Sequence, residues 1–510
     1  MIAVGAGGVE PADIVRVARD GEQVALSPDA ESAILAGRAV VDRLVAGDRL
    51  IYGLNTGLGH MRDHRVPIDV LLRYQRQMIE GHASGIGPPL ATADVRAAML
   101  ARVSGAARGG SGLALDTVQL LVAMLNAGVH PIVPSAGSVG AGDLMHMAAI
   151  GAVLIGRGEC ELGGELLPGG VGLARAGLTP IVAQPKEGLA LVAANSVAIG
   201  AGALVADEAQ RLARLADLAC AISLEAVCGN PGPFDEAAAG AKDIPGQIAS
   251  AAEIRSLLDG SYLHDPATVL SVQDPLSFRV AAQVNGAYRE QVTAAEHSVR
   301  VELGAIGDNP MVLIERETMI SNGNFQPMQL ALAFDALRTG AAHVAMISER
   351  RMNKLTTLRL ADPALMLAGL DDAELAQRSP RRALVQYSAA SLLAELKHLA
   401  APVSIHLPPL DLDVEDHGTV APSVVFTTRR ALALLDTILT CEAQIAIDLM
   451  DARGVPALGR GTRAAYDRVW AAWADLPAGS PPSAVVEATR AALHEPATSR
   501  GEHEGVLGTP

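Results

Sequence analysis

A chain of 510 residues with a formal charge of −16 and only 3% aromatic residues lacks the basic face that nucleic acid or an anionic membrane selects. Half of its residues are hydrophobic, so Ala, Leu and Val must fill the core, and that bias predicts helix rather than sheet. The four cysteines Cys160, Cys220, Cys228 and Cys441 have neither CxxC nor zinc-type spacing. They predict buried thiols in a reducing compartment, not a disulfide framework. The first residues carry no basic segment followed by an apolar one, so no secretory leader is expected and the location expected is cytoplasmic.

In chain order, the first part is punctuated by Gly and Pro. Tyr52–Gly59, Gly105–Gly112, Pro131–Gly142 and Gly163–Gly172 predict loops or turns between short helices. The stretch Gly188–Ala206 is uncharged and nearly long enough to span a membrane. Asn195, Ser196 and its glycines favour a buried core helix instead. Gly188–Ala226, Gln326–Thr357, Arg382–Ala401 and Ser423–Arg453 are Ala/Leu-rich with helical periodicity. Pro402, Pro408 and Pro409 stop the third. The fold class expected is all-α: a long central helical bundle with a loop-rich, mostly helical N-terminal part carrying the active-site loops. The divisions expected are 1–185 for that N-terminal part, 186–494 for the bundle and 495–510 for a polar tail, all one continuous fold. Helices so long and apolar also predict burial against other copies of the chain.

Five short motifs bear reactive groups. YGLNTGLG puts Tyr52 on a tight, exposed loop; as a general base its phenol needs a pKa well below about 10, which a cationic neighbour would supply. The alternative is a packing turn. PSAGSVGAGDL, ending at Asp143 and Leu144, is either an anion nest or a flexible turn, and it matches neither a P-loop nor a dinucleotide fingerprint. SVQDPLSFRVAAQVNG holds Gln273, Arg279 and Gln283, with Arg279 as a bidentate carboxylate clamp or a surface ion-pairing group. SNGNFQP brings Asn324 and Phe325 to a helix entry. DVEDHG sets Glu415 and Asp416 beside His417, as active-site acids or as caps of the next helix. His60 and His64 have HxxxH spacing but no Glu after the first, and no metal site is expected.

In their order, YGLNTGLG, EGHASGIG, GSVGAGDL, KEGLAL, QDPLSFR, DNP, GNFQP, SERR and EDHG resemble the histidine and phenylalanine/tyrosine ammonia-lyases and aminomutases over nearly the whole chain. The resemblance implies an all-α lyase fold and a homotetramer whose active sites each draw on three subunits. It implies a carboxylate-bearing small-molecule substrate. It also implies a prosthetic group, 4-methylideneimidazole-5-one (MIO), made in that family from Ala-Ser-Gly within Gly-Ser-Val-Gly-Ala-Ser-Gly-Asp-Leu. This electrophile captures a poorly leaving amine so that a base can complete the elimination.

Here the run reads Gly137-Ser138-Val139-Gly140-Ala141-Gly142-Asp143. Aligned from the left the serine is deleted; aligned from Asp143, Ala141 stands in its place. Either way no serine precedes the required glycine, so no MIO is expected and no cofactor is predicted. Of the family's site residues, Tyr52 matches the catalytic base and Glu415 an active-site acid. His82, Gln273, Arg279, Asn324 and Phe325 match substrate-binding positions. Leu276 replaces a tyrosine. Ala193 replaces an asparagine that nearby Asn195 would substitute, and His146 is a new titratable group beside the vacated loop Gly140, Ala141, Gly142. The reading is an ammonia-lyase-like enzyme of specialised metabolism performing MIO-independent elimination, isomerisation or cyclisation with Tyr52 as base. The alternatives are a conventional MIO-type lyase or aminomutase, and a silent homologue that binds a metabolite or a partner subunit.

Overall fold

The computed structural model describes residues 1–363, 384–477 and 479–495. The expected tail therefore lies almost wholly outside the described residues, as does the start of the helix expected at Arg382. The architecture is all-α with a few strands of three or four residues. The chain divides into two compact units, each of three segments. The first comprises Met1–Arg211, Arg289–Ala341 and Lys397–Leu432; the second comprises Leu212–Tyr288, Ala342–Leu396 and the described part of Ala433–Pro510.

Local sequence explains the helix ends. Pro28–Val45 starts with proline in its first turn, where a missing N–H costs nothing, and Asp29 and Glu31 face the positive end of the helix dipole. Ser27 occupies the capping position but gives its hydroxyl to the Val4 carbonyl at 3.0 Å. Leu115–Ala127 stops at Gly128, whose φ of 72° is a left-handed cap. The segments expected as plain loops also hold small sheets. Ile86–Pro89 pairs antiparallel with Pro134–Ala136, and Val129–Pro131, Glu159–Leu162 and Glu165–Pro168 form a three-stranded sheet. Glycines flank these strands, and at this length periodicity does not reveal them.

Four helices exceed twenty residues among those described: Ser196–Ala226, Ala281–Leu303, Met328–Ala361 and Ala421–Ala452. Three match expected helices. The fourth, Ala281–Leu303, is not among the expected helices, because Asn285, Arg289, Glu290, Glu296 and Arg300 dilute its apolar stripe. The expected third, Val385–Leu399, is shorter. Within the first unit three of the long helices approach one another at Gly202, and Arg338 ties one of them to the fourth. A side chain at Gly202 would touch Val299, Phe334 and Leu330, and the guanidinium of Arg338 donates to the Val424 carbonyl at 3.0 Å and to Thr428 at 2.9 Å.

The expected continuous helix from Gly188 is interrupted. Glu187–Val192 ends, Ala193 to Asn195 break away, and Ser196–Ala226 begins. The Asp143 amide takes the Ala194 carbonyl at 2.9 Å, and the Asp143 carboxylate accepts from the Ala198 amide at 2.9 Å. Asp143 thus caps the new helix from outside, satisfying a donor that a helix start leaves free. Two segments, Glu187–Ala226 and Met328–Ala361, are long and apolar enough to cross a membrane, and their most apolar windows are 94% and 61% buried. The first is thereby a core segment, as its glycines and Asn195 suggested.

The second unit is centred on buried ion pairs. Arg351 and Glu442, both fully buried, pair at 2.5 Å, while Ser223 donates to Glu442 at 2.6 Å and Arg351 donates to the Ser277 carbonyl at 2.9 Å. A buried carboxylate is tolerated only when paired and hydrogen-bonded.

Candidate active site

A cavity of about 1060 Å³ opens in the first unit, and every residue lining it belongs to that unit. This is at the upper end of the usual range for small-molecule sites. Four chain segments carry much of its wall, and Leu189, Ala193, Asn309, Ser321, Phe325 and Gln326 add to it.

The first is Tyr52–Asp63. The loop is more buried than expected: Gly53 to Gly57 are buried and Tyr52 is half-buried. Gly53 has a φ of 68° and a side chain there would strike Leu189, so this turn requires glycine. The Tyr52 phenol lines the cavity. Its pKa is raised, chiefly by burial; the Gly59 amide works the other way, while the Glu415 and Asp411 carboxylates raise it further. The cationic neighbour expected to lower it is replaced by two anionic ones, which favour the neutral phenol.

The second segment is the helix Leu71–His82. Tyr74, Met78 and His82, spaced by four, share one face and line the cavity. His82 Nδ1 lies 2.7 Å from the Met78 carbonyl. That carbonyl can only accept, so Nδ1 carries the proton and Nε2 is left for other partners.

The third is the turn from Leu410 to Glu415. Leu410 and Glu415 pair through backbone bonds of 2.8 and 3.2 Å, and Asp411, Leu412 and Asp413 all have positive φ. Each such non-glycine residue costs about 1–2 kcal/mol, a strain that persists where surrounding contacts impose it. One such contact is Asp411, which binds His60 Nδ1 at 2.6 Å and the His60 amide at 3.0 Å. A side chain at Gly59 would collide with that carboxylate. The turn presents Asp411, Glu415 and Asp416 to the cavity. Burial raises the Glu415 pKa most, Asp411 raises it further, and His82 opposes both.

The fourth is Gly140–Gly142. Gly140 and Gly142 have φ of 78° and 74° and form a backbone bridge around Ala141. Ala141 lines the cavity. A side chain at Gly140 would collide with Thr419 and Val420, and one at Gly142 with Ala193. Ala141 occupies the tip between these two glycines. Ser138 is not a displaced substitute, because its hydroxyl donates to Asp143 at 2.8 Å and accepts from the Gly140 amide at 3.1 Å. Burial raises the Asp143 pKa, with His146 and these hydrogen bonds opposing.

The expected site residues thus fall into two sets. Tyr52, His82, Glu415, Phe325 and Ala141 line one cavity. Asn324 is exposed and does not line it; its side chain turns to the Ile306 carbonyl at 3.4 Å. Gln273 and Arg279 belong to the second unit and are not among the lining residues. His146 is 1% exposed, off the cavity wall, and both ring nitrogens lack a hydrogen-bond partner among the described residues. It sits in the first turn of Leu144–Leu154, near enough to Asp143 to oppose the rise in that carboxyl's pKa. Asn195 is also buried away from the wall. With its amide turned to satisfy both ends, it donates to the Phe325 carbonyl at 2.7 Å and accepts from the Gly142 amide at 3.2 Å. These bonds tie it to the loop, and Ala193, which stands where the family's asparagine is expected, itself lines the cavity.

Tyr74, Asp411, Met78 and Met145 were not singled out from sequence. Tyr74 and Met78 had a signal, the four-residue spacing that ends at His82. Asp411 had none, because a strained turn of non-glycine residues leaves no mark in composition. Lys186 and Glu187 of KEGLAL prove to be scaffold. Glu187 accepts from the Ala114 amide and the Thr117 hydroxyl at 2.8 and 2.7 Å, and Lys186 is fully buried, donating to the Ser111 carbonyl at 2.5 Å.

A family model described as aromatic amino acid lyase matches residues 9–471. A histidine ammonia-lyase of Gloeobacter violaceus is 38% identical over 472 residues, covering 90% of this chain and 89% of its own. The ergothioneine-degrading enzyme ergothionase of Treponema denticola, solved with desmethyl-ergothioneine sulfonic acid, superposes with a TM-score of 0.87 at 27% identity. That match covers 96% of this chain and 98% of its own. A tyrosine aminomutase of Streptomyces globisporus superposes with the same score at 26% identity, covering 96% of each chain. The cavity, the motif order and these matches agree: the chain belongs to the aromatic amino acid lyase family.

Proposed function

We propose that the protein catalyses an elimination from a carboxylate-bearing small molecule without MIO. The observation that carries this is Ala141 at the loop tip. MIO formation needs the amide nitrogen after the tip residue to close on the carbonyl before it, and the tip residue's β-hydroxyl to leave as water. The backbone here is folded for the first requirement, with Gly140 and Gly142 bridged. Ala141 ends in a methyl group and has no oxygen to lose. The residues present therefore do not fit the group, and no step is derived through it.

Without an electrophile to capture an amine, the substrate must bring its own good leaving group. In the proposed step Tyr52 removes a proton from the carbon beside the one bearing that group. The C–H electrons form the double bond and the leaving group departs with its bonding pair. Glu415 and His82 face the same space and hold the polar part of the substrate. The carboxylate clamp Arg279, with Gln273, would come from a second copy of the chain in a homotetramer. The ergothionase supports the reading, since an enzyme of this architecture is named as degrading ergothioneine rather than as an ammonia-lyase.

The test combines intact mass and turnover. The purified protein is expected at the mass of its unmodified sequence, and histidine, tyrosine and phenylalanine are expected to give no unsaturated acid. Tyr52→Phe is expected to lower turnover of a productive substrate by roughly 100-fold or more without moving the unfolding midpoint. A mass short by two waters, or full activity in the Tyr52→Phe protein, overturns the proposal.

A further inference from the structure

We propose that His60, oriented by Asp411, is a second proton-transfer residue of this cavity: the acid that protonates the departing group while Tyr52 removes the substrate proton. This rests on the MIO-independent elimination proposed above and supplies the half of that reaction that Tyr52 cannot perform.

The cavity wall creates the need. A group that departs with its bonding pair gains negative charge as the bond breaks. Asp63, Asp411, Glu415 and Asp416 line the cavity, against the single guanidinium of Arg62. That guanidinium donates to the Gly59 carbonyl at 3.3 Å and lies 3.9 Å from Asp63. An anion developing among carboxylates away from bulk water is disfavoured. A proton delivered as the bond breaks removes the charge.

Three histidines line the cavity: His60, His82 and His417. Of these, His60 alone is bound to a carboxylate among the described residues, its Nδ1 lying 2.6 Å from Asp411 Oδ1. The other Asp411 oxygen accepts from the His60 amide at 3.0 Å, so one carboxylate fixes both the backbone and the ring. A carboxylate can only accept, which puts a proton on Nδ1 and makes Nε2 the nitrogen that transfers one. Nε2 has no hydrogen-bond partner among the described residues. Asp411 thus sets the ring's direction and stabilises the imidazolium, as the orienting carboxylate does in a hydrolase triad. His82 gives its Nδ1 proton to the uncharged Met78 carbonyl instead. No hydrogen bond among the described residues fixes the direction of the Glu415 carboxyl.

The backbone holds this pair together at a cost. Asp411 has a φ of 48°, and Gly59, with a φ of 54°, leaves the space that the Asp411 carboxylate fills. Strain confined to one point of a cavity wall is characteristic of functional sites.

The step balances. The substrate proton passes to the ionised Tyr52 oxygen, and the C–H pair becomes the double bond. The bond to the departing group breaks, its pair stays on that group, and the Nε2 proton of His60 joins it. The products are an unsaturated carboxylate and the protonated leaving group, with a neutral imidazole and a protonated tyrosine. Passage of the phenolic proton to Nε2 through water restores both residues, and no oxidant or co-reactant is consumed.

The test compares leaving groups of different basicity on the same acids: the 2-phenoxy and 2-(4-nitrophenoxy) derivatives of 3-phenylpropionate and 3-(imidazol-4-yl)propionate, with the released phenol measured by chromatography. Weakly basic 4-nitrophenoxide leaves without a proton; phenoxide needs one. His60→Gln is expected to lower phenoxy turnover by roughly 100-fold or more and 4-nitrophenoxy turnover by less than about fivefold. Asp411→Asn is expected to move that ratio in the same direction. Free imidazole is expected to restore phenoxy turnover to His60→Ala, a recovery that a merely structural role would not give. Equal losses for the two leaving groups in a His60→Gln protein of unchanged circular dichroism, or wild-type rates in that variant, overturn the inference. So does a leaving-group dependence that appears in Glu415→Gln and not in His60→Gln. Each of these outcomes leaves the elimination itself standing. Wild-type protein that releases neither phenol from either acid overturns the parent reading, and the role of His60 falls with it.

Discussion

Asn195→Ala separates a loop brace from a substrate contact. In the folded protein Asn195 is 5% exposed and joins the Phe325 carbonyl, at 2.7 Å, to the Gly142 amide, at 3.2 Å. Truncation removes the first bond outright. The Gly142 amide also lies 3.3 Å from the Phe325 carbonyl, so the second loss is partly made good. The Phe325 carbonyl and the Gly142 amide keep each other as partners, so the cost is the net worth of the lost hydrogen bonds, about 1–3 kcal/mol for the two. That loss falls on the opening of the loop rather than on global unfolding. At about 1.4 kcal/mol per factor of ten, amide exchange across Gly137–Leu144 is expected to quicken roughly 5- to 150-fold, with little change in peptides from the second unit. Hydrogen–deuterium exchange read by mass spectrometry resolves this directly. Unchanged exchange in that segment, together with weakened ligand binding, would refute the reasoning and return Asn195 to the role the sequence suggested.

Two further outcomes concern the scaffold. Burial lowers the Lys186 pKa from 10.5 to about 8, against an opposing contribution from Asp308. Between those values the unfolded chain binds a proton that the folded protein does not, so stability rises as pH climbs through that window. The charged lysine's penalty, about 3 kcal/mol, is fully present below pH 8. Lys186→Met is expected to lose this rise, and denaturant midpoints for the two proteins that run parallel from pH 7.5 to about 10 would exclude it. Arg102 and Asp308 form a buried ion pair at 2.9 Å. Arg102→Met is expected to destabilise by about 3–5 kcal/mol because Asp308 is left uncompensated; Asp308→Asn in the same chain should recover part of that loss in the same denaturation assay.

The long helices were legible from the chain because their apolar faces repeat at helical period over many turns. Ser196–Ala226, Met328–Ala361 and Ala421–Ala452 carry that signal. Ala281–Leu303 was underread because charges interrupt its stripe. The break at Ala193–Asn195 was not legible at all, since no proline or helix-breaking pair marks it. It exists because Asp143, fifty residues earlier, takes the Ala194 carbonyl and caps the helix that follows.

The site shows the same division. By itself the sequence determined the inventory: Tyr52, His82, Phe325 and Glu415 as candidate groups, and Ala141 without a hydroxyl beside Gly142. Chemistry that depends on which atoms exist is readable from the chain, so the missing β-oxygen needed no coordinates. The tertiary structure decided what each group faces. It put Asn195 behind the loop and His146 in the packing, added Tyr74 and Asp411 to the wall, and surrounded Tyr52 with carboxylates where a cation had been expected. Those outcomes depend on contacts between segments hundreds of residues apart, such as His60 with Asp411. Periodicity and local propensity carry no information about the electrostatic surroundings that such contacts create.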